Sequence, residues 1–435
     1  MICKDWLGKA WRQKVRQHKR GRKTASAVVM AALGGFAPAV LAAGEGSFTD
    51  NPALLSGPVR VCPDCAKTPS EPVDPWLDLD WSIALRGAMT AEDGAARTEV
   101  LIVPEARLVH QSLRGGYDIG ADAELAVNVD GNARISSLNF TAEGTHALDS
   151  VTEISGSAEL ALSQEDPNGP DQPANLESTP LVIEGSAELG ITRTFGLAEI
   201  GLRGTLGRAV TGETVFDDKS TADNSYLDRS RAGIGGRFGW RLAPFATAWI
   251  DGEAEYEFYD KLSPSLLVKL DNWTYSGKLG ATVQLRGPTE LEGAVGLVWR
   301  DYADPSLDDF SAMLYEASVS HKPDETVTLT AGLTTTLSSP EAGSSATARL
   351  TYAGTTTAEI AVNSWLTARS SAGASLARPM GAGSDEQSWN IGAGLDWLVN
   401  PNTDITADYR FTQTLAEPDP PEDEHRVTLG VTLHR

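Results

Sequence analysis

Apolar and polar residues alternate with a period of two along most of the chain from Leu77 onward. In the segment 117–129, for example, acidic and amide side chains separate the members of one apolar row, namely Ile119, Ala121, Ala123, Leu125, Val127 and Val129. Successive side chains of a β-strand point to opposite faces, so this alternation predicts strands with one apolar and one polar wall. We therefore expect an all-β protein.

The same pattern can be followed through eighteen segments. The predicted strands are 77–89, 98–110, 117–129, 134–146, 150–163, 180–194, 197–210, 231–242, 246–259, 273–286, 289–300, 310–321, 325–337, 346–362, 367–378, 388–398, 404–414 and 425–435. The segment 346–362 keeps one phase through Gly354, so it counts as a single strand. Eighteen is even, as single-chain bacterial barrels require, and sixteen strands is the alternative count.

A soluble β-sandwich would show the same period, because one face of each sheet packs in a core. Two features favour a membrane barrel instead. Full charges stand in mid-strand, which suits a watery lumen, and the apolar wall is rich in Ala, Gly and Leu, with Trp and Tyr towards strand ends. The sequence therefore predicts a closed antiparallel transmembrane β-barrel of about eighteen strands.

The connections between the strands alternate between long and short, as they do in outer-membrane barrels. Predicted outer loops are 164–179, 211–230, 260–272, 301–309, 338–345, 381–387 and 416–424, and predicted periplasmic turns are 194–197, 242–245, 287–289, 322–325 and 400–403. Pro104 falls inside the second strand and removes a ladder hydrogen bond there unless it marks a bulge.

Charged residues in mid-strand are expected to face the lumen: Asp122, Glu124, Asp251, Glu253, Glu255, Glu257, Lys278, Arg286, Arg349, Asp396, Asp408 and Arg410. The acids from Asp251 to Glu257 form a ladder that could bind a hard cation such as Ca²⁺ or act as paired catalytic carboxylates. A solvated lumen wall, balanced by Lys278 and Arg286 on the next strand, is the interpretation that we favour. We expect neither a metal nor a cofactor.

The first 43 residues differ from the rest of the chain. Nine basic residues and one acid occupy 1–24, an apolar stretch covers 25–41, and small residues follow. This order predicts a secretory signal peptide over 1–43 rather than a membrane anchor, since glycines and a proline interrupt a stretch that barely reaches spanning length. Residues 44–76, rich in Pro, Ser and Gly, are expected to form a periplasmic arm before the barrel, 77–435.

The mature chain would contain two cysteines, Cys62 and Cys65. Their spacing would suit a redox pair within a βαβ pattern, but none surrounds them, and two cysteines are too few for a zinc site. We therefore expect a small local disulfide formed in an oxidising compartment.

The charge and motif content exclude several function classes. Removing the signal peptide changes the net charge from −23 by a further eight units to −31, which argues against nucleic-acid binding. No Gly-x-Ser-x-Gly elbow occurs, and the histidines stand in no recognisable motif. We therefore do not expect an enzyme.

The stretch from Val298 to Pro305 resembles a hairpin of the "putative β-barrel porin 2" family of proteobacterial outer-membrane proteins. The run Asn400-Pro401-Asn402-Thr403 and the closing strand Val427–Leu433 are also similar to that family. The resemblance spans roughly 77–435 and implies an outer-membrane barrel, surrounded by lipid and handled by the barrel-assembly machinery. Some members are associated with exopolysaccharide export, which implies export-system partners, and the family carries no catalytic residues.

Three functions fit these observations. The first is a porin-like conduit for small hydrophilic solutes, with a preference for cationic or neutral ones because the lumen is acidic. The second is a component for export of a surface polysaccharide, which rests on the resemblance alone. The third is a structural or adhesive barrel whose outer loops bind external partners.

Overall fold

The computed structural model describes residues 78–92, 95–128, 133–167, 175–285, 288–340, 344–416 and 420–435. The predicted signal peptide, the arm and the two cysteines lie outside these residues. Eighteen long strands are present: β1 (Asp78–Glu92), β2 (Ala95–Ser112), β3 (Gly115–Asn128), β4 (Ala133–Ala147), β5 (Thr152–Ser163), β6 (Val182–Phe195), β7 (Ala198–Thr211), β8 (Arg229–Ala243), β9 (Ala246–Tyr259), β10 (Asn272–Leu285), β11 (Thr289–Tyr302), β12 (Phe310–His321), β13 (Val327–Ser338), β14 (Ala348–Asn363), β15 (Leu366–Met380), β16 (Glu386–Asn400), β17 (Thr403–Ala416) and β18 (Glu422–His434).

Each strand pairs antiparallel with the next one along the chain, and the last strand returns to the first. In the closing pair Ser82 lies opposite His434 and Glu92 lies opposite Glu424. The sheet therefore has no free edge, and the prediction of a closed eighteen-strand barrel is confirmed. The sandwich and the sixteen-strand barrel are both excluded, and residues 348–363 form one continuous strand.

Exposure along the strands is the reverse of that in a soluble protein. On β9 the side chains of Ile250 and Phe258 are 55% and 43% exposed, whereas those of Asp251 and Glu257 are each only 6% exposed. Apolar residues thus cover the outside of the barrel and polar residues line its inside, as expected for a wall between lipid and an aqueous lumen. Among the described residues there is no helix long and apolar enough to cross a membrane.

From β5 onward the long and short connections fall on opposite ends of the barrel, as the sequence predicts. A two-residue turn joins β6 to β7, where Gly196 adopts a φ of +65° that favours glycine. At the other end, two long loops share a small three-stranded sheet made of Leu176–Ser178, Thr214–Phe216 and Thr221–Ala222. We call the end with the long loops the outer end.

Aromatic side chains mark both ends of the apolar surface. The rings of Trp273 and Tyr275 stack 5.9 Å apart near the outer end, and those of Trp365 and Trp397 lie 6.0 Å apart near the turns. Such belts are typical of the two membrane interfaces. Pro104 has a partner on β1 but none on β3, so the ladder is interrupted where the sequence analysis placed a possible bulge.

Candidate functional site

The inner wall of the barrel is the candidate functional site. Every described residue of the predicted lumen set lies on a strand and in the polar phase that faces inward: Asp122, Glu124, Asp251, Glu253, Glu255, Glu257, Lys278, Arg349, Asp396, Asp408 and Arg410. Arg286 lies outside the described residues. The wall is therefore charged along its length, but the charges are not evenly distributed.

The acidic ladder on β9 is bound by Arg203, which lies on β7. The sequence analysis expected its basic partners on β10, at the other side of β9. Arg203 of β7 donates to both carboxylate oxygens of Asp251, at 2.7 and 2.9 Å, and to Glu253 at 2.8 Å. Its side chain passes over Gly235 of β8, where a Cβ would lie only 2.8 Å from the guanidinium carbon. The glycine thus lets a long side chain lie flat across one strand to reach the next.

Glu257 forms a second buried ion cluster nearer the outer end. Its carboxylate lies 2.8 Å from Nε of Arg229 and 3.9 Å from Nη2 of Arg300, and it accepts a hydrogen bond from Asn272 at 3.2 Å. Arg300 is 4% exposed and also donates to Thr274 at 3.0 Å. A buried carboxylate needs such partners, because an unpaired charge is costly to remove from water.

The expectation that Lys278 balances the acidic ladder is wrong. Lys278 lies directly opposite Asp251 on the neighbouring strand, but its ammonium group binds Glu316 of β12, since the carboxylate of Asp251 is already held by Arg203. The expectation of a solvated ladder is wrong for its two most buried members, Asp251 and Glu257.

The inward arginines that lie beside the acidic ladder were missed in the sequence. Four lie in one phase on the inner face of β8, which we call the arginine stripe: Arg229, Arg231, Arg237 and Arg241. The signal that could have found them is the same period of two, in which glycines at 233, 235 and 239 fill the intervening inward positions.

A third ion cluster spans β15 to β17. Arg369 lies 2.5 Å from Asp396 and 3.0 Å from Asp408, so two of the predicted acids share one cation. At the outer end of the same strands, Arg349 of β14 binds Glu386 at 2.8 Å. Arg410 instead lies directly opposite another arginine, Arg426, which is tied to Glu99 at 2.9 Å.

One part of the wall is acidic without such compensation. Asp122 of β3, Glu143 of β4 and Glu159 of β5 face inward on adjacent strands, and we call this group the acid wall. Within the described residues none of the three has a basic partner, and Asp122 accepts one hydrogen bond, from the amide of Asn139 at 2.9 Å. Fixed negative charge on a water-facing wall attracts cations and repels anions.

Ser339 and Thr347, at the two ends of the loop between β13 and β14, contact tyrosines on other strands. The hydroxyl of Tyr259 on β9 donates to Ser339 at 2.8 Å, and that of Tyr302 on β11 donates to the carbonyl of Thr347 at 3.1 Å. Both tyrosines face inward and are almost fully buried. The passage is therefore narrowed near its outer end by a segment of the chain itself.

Two outer loops are tied to each other by a carboxylate. Hydrogen bonds from the side chain and backbone of Ser225, together with the ammonium of Lys261 at 3.0 Å, lower the pKa of Asp223 to about 2. The hydrogen bonds from Arg208 likewise lower the pKa of Asp260. These contacts join the outer loops at the rim of the barrel.

Across the part of the chain that the structure describes, no group of three or more His, Cys, Asp or Glu side chains is placed to hold a metal ion. Asp251 and Glu257 pair with arginines, Glu316 pairs with Lys278, and the acid wall faces the lumen. The arrangement is suited to conducting and selecting hydrophilic solutes.

One protein family and several solved structures resemble this chain. The profile of the family described as "Putative beta-barrel porin 2" matches residues 90–435. No curated protein sequence matches the chain. Among solved structures, the chain is similar to three proteins of Pseudomonas aeruginosa, in each case over 82% of this chain. They are OccK5 (13% identity, 98% of that chain, TM-score 0.41), the siderophore receptor PirA (10%, 80%, 0.41) and OccK2 in complex with glucuronate (11%, 98%, 0.42).

Proposed function

The chain belongs to the "Putative beta-barrel porin 2" family and is a porin-like β-barrel of the outer membrane, and from this premise we propose that it is a water-filled conduit for small hydrophilic solutes with a preference for cations. An eighteen-strand barrel is wide enough for an aqueous channel. The observation that carries the proposal is the charged inner wall, which would be strongly disfavoured in any environment without water.

The preference for cations rests on the acid wall. Arg203 and Arg229 are neutralised by carboxylates on β9, and Arg237 is paired with Glu292, whereas Asp122, Glu143 and Glu159 keep their charge towards the lumen. The net field in the passage is therefore negative on that side. A low-dielectric barrel wall strengthens this field, because it confines the field lines to the lumen.

Solute entry into liposomes tests the conduit directly. Proteoliposomes that contain the refolded barrel are diluted into iso-osmotic arabinose, and swelling is compared with that of liposomes without protein. Swelling with arabinose and much slower swelling with the trisaccharide raffinose is the expected result. A barrel that migrates as a folded species on a gel and yet produces no swelling would overturn the proposal.

Passage of neutral sugars, including a surface polysaccharide, is the second candidate. It is favoured by an inner arc on β13 to β15 that is rich in hydroxyl groups: Thr328, Thr330, Thr334, Thr336, Thr355, Thr357, Ser371 and Ser375. Loss of surface polysaccharide on deletion of the gene, with normal arabinose entry through the purified barrel, would favour this function over general diffusion.

A further inference from the structure

Three arginines face the lumen where the barrel closes. Arg410 lies on β17, Arg426 on β18 and Arg86 on β1, and these three strands are neighbours around the closing pair. Arg410 is directly opposite Arg426, and Arg86 is directly opposite Gly430, which lies four residues from Arg426 on the same face of β18. We call the three arginines the basic arc. Only β2 separates it from the acid wall, which begins on β3.

The paired arginines of the arc have one shared carboxylate. Opposite residues of adjacent antiparallel strands have Cα atoms about 4.5–5.5 Å apart, and like charges at such positions destabilise a sheet. Arg426 donates to Glu99 of β2 at 2.9 Å, but Glu99 also accepts a hydrogen bond from Arg134 of β4 at 3.2 Å. The carboxylate of Glu99 is therefore already divided between two cations.

Arg410 has no carboxylate of its own. The acids that flank it in the inward phase are Asp408 on its own strand and Glu424 on β18. Asp408 binds Arg369 at 3.0 Å, whereas Glu424 lies opposite Thr412. Among the described residues, Arg410 is not within ion-pair distance of any carboxylate. Its guanidinium group and that of Arg426, whose side chain is 31% exposed, thus face the lumen together.

Arg86 lacks a carboxylate in a setting where other cations of the barrel have one. Three cations extend across a glycine on the next strand and bind a carboxylate on the strand beyond it: Arg203 past Gly235 to Asp251, Lys278 past Gly296 to Glu316, and Arg369 past Gly394 to Asp408. Arg86 extends across Gly430 in the same way, since a Cβ there would lie 2.7 Å from Cγ of Arg86. The side chain on the strand beyond is that of Thr406, whose hydroxyl oxygen would lie 2.8 Å from the same Cβ.

The groups around Gly430 include two unsatisfied polar atoms. Nε of Arg86 and Oγ1 of Thr406 are both buried, and neither has a hydrogen-bond partner in the protein. The large majority of buried polar atoms in folded proteins have such a partner. A guanidinium group and a hydroxyl group are both hydrogen-bond donors. An acceptor that bears oxygen atoms and negative charge therefore complements the whole arc.

We propose that the basic arc is a subsite of the lumen that binds oxyanions, namely the carboxylate or phosphate group of a solute in passage. Arg410 and Arg426 present two planar guanidinium groups, which match both kinds of oxyanion through paired hydrogen bonds. Arg86 and Thr406 lie about 13 Å farther along the seam, at about 3.3 Å for each of four residues, and add donors towards the periplasmic end. The subsite deepens the proposed function and rests on it, because the bound group belongs to a conducted solute.

The basic arc and the cation preference act over different ranges. The cation preference follows from the net field of the lumen, to which the acid wall contributes its uncompensated charge. Hydrogen bonds with the arc form only at contact distance. A solute with an oxyanion at one end therefore gains affinity for the passage while the passage as a whole still favours cations.

Isothermal titration calorimetry of the refolded barrel in detergent micelles tests the subsite. Sodium phosphate and sodium succinate are titrated separately, in dilute chloride buffer, into the wild type, Arg410→Gln, the double variant Arg86→Gln/Arg410→Gln, and Arg349→Gln. The last is a matched control, because Arg349 also faces the lumen but is held by Glu386 at 2.8 Å.

The wild type and the control should bind at least one of the two anions saturably and with equal affinity. Arg410→Gln should bind about tenfold more weakly, since it removes a charge-assisted hydrogen bond, and the double variant should show no saturable binding. Binding of phosphate alone or of succinate alone identifies the group that the arc recognises.

Denaturant unfolding separates a binding role of Arg410 from a structural one. Arg410→Gln removes a like charge opposite Arg426, so without added anion its unfolding midpoint should equal or exceed that of the wild type. The anion should raise the midpoint of the wild type and leave that of Arg410→Gln nearly unchanged. A lower midpoint for Arg410→Gln without anion would show that Arg410 is satisfied within the protein and would overturn the proposal.

Two results of the calorimetry would also overturn the subsite: no saturable binding of either anion to the folded wild type, or equal affinities for Arg410→Gln and Arg349→Gln. Binding by a barrel that produces no liposome swelling would contradict the conduit and support the subsite. Swelling without binding would contradict the subsite alone, so the two proposals are distinguishable in one set of samples.

Discussion

Two arginines on the same strand should differ sharply in their contribution to stability. Arg203 and Arg208 both lie on β7, and each binds an aspartate through two hydrogen bonds. Arg203 faces inward and binds Asp251, which is 6% exposed, whereas Arg208 lies at the outer rim and binds Asp260, whose side chain is 40% exposed. We compare Arg203→Met with Arg208→Met, because methionine keeps an unbranched apolar chain and removes only the charge and its donors.

The burial of the partner sets the expected magnitudes. Arg203→Met leaves a buried carboxylate without its cation, which typically costs about 3–5 kcal/mol. Arg237 lies opposite Asp251 but is not available as a substitute, since it binds Glu292 at 3.2 Å and its guanidinium lies 3.8 Å from the ring centroid of Trp249. Arg208→Met breaks a solvent-screened pair, for which less than about 1 kcal/mol is expected.

Guanidinium unfolding in detergent micelles, followed by tryptophan fluorescence, gives the free energy of unfolding for each variant. Adding Asp251→Asn to Arg203→Met should recover part of the loss, because the unpaired charge is then removed. Equal losses for the Arg203 and Arg208 variants would refute the inference that the acidic ladder is held in a buried ion cluster.

Three further predictions follow from other parts of the molecule. Neutralising the acid wall with Asn and Gln should lower the cation-to-anion permeability ratio by about twofold or more, since its charge is not compensated, and the same change at the turn residues Asp149 and Asp324 should leave the ratio nearly unaltered. The carboxyl carbon of Asp223 should titrate near pH 2 in NMR spectra. Folding lowers this pKa, so the ion pair with Lys261 contributes fully above the unfolded pKa of about 3.9. That contribution is lost as the pH falls through about 2. We propose that the mature protein begins at Gly44 and contains a Cys62–Cys65 disulfide, so reduction should increase its intact mass by about two hydrogen masses, and an intact mass that includes residues 1–43 would contradict the cleavage.

The barrel itself could be predicted from the sequence because its physical cause is local. A period of two, maintained across each of eighteen segments, assigns every side chain to lipid or lumen without reference to any distant residue. All eighteen predicted segments correspond to strands, with ends shifted by a few residues. Strand ends depend on where hydrogen bonding stops, which the pattern of side chains does not determine.

The pairing within the lumen could not be predicted in the same way. The sequence places Asp251 and Lys278 on neighbouring strands, and they are indeed opposite each other, but their charges are used elsewhere. Which cation reaches Asp251 depends on Arg203 crossing the open space above Gly235, a contact that spans two strands. The inward contacts of Ser339 and Thr347 were also hidden, because the alternation on β14 keeps one phase from Val362 back to Ala346.

The central claim is that this outer-membrane barrel is a water-filled conduit with a cation preference, and current across a planar bilayer tests it most directly. Purified barrel is added to a bilayer that separates two KCl solutions of tenfold different concentration. A cation-selective conduit should give stepwise current increments and a reversal potential with the sign of the potassium equilibrium potential. Correctly folded protein that gives no current steps would contradict the conduit. A reversal potential with the sign of the chloride equilibrium potential would contradict the cation preference.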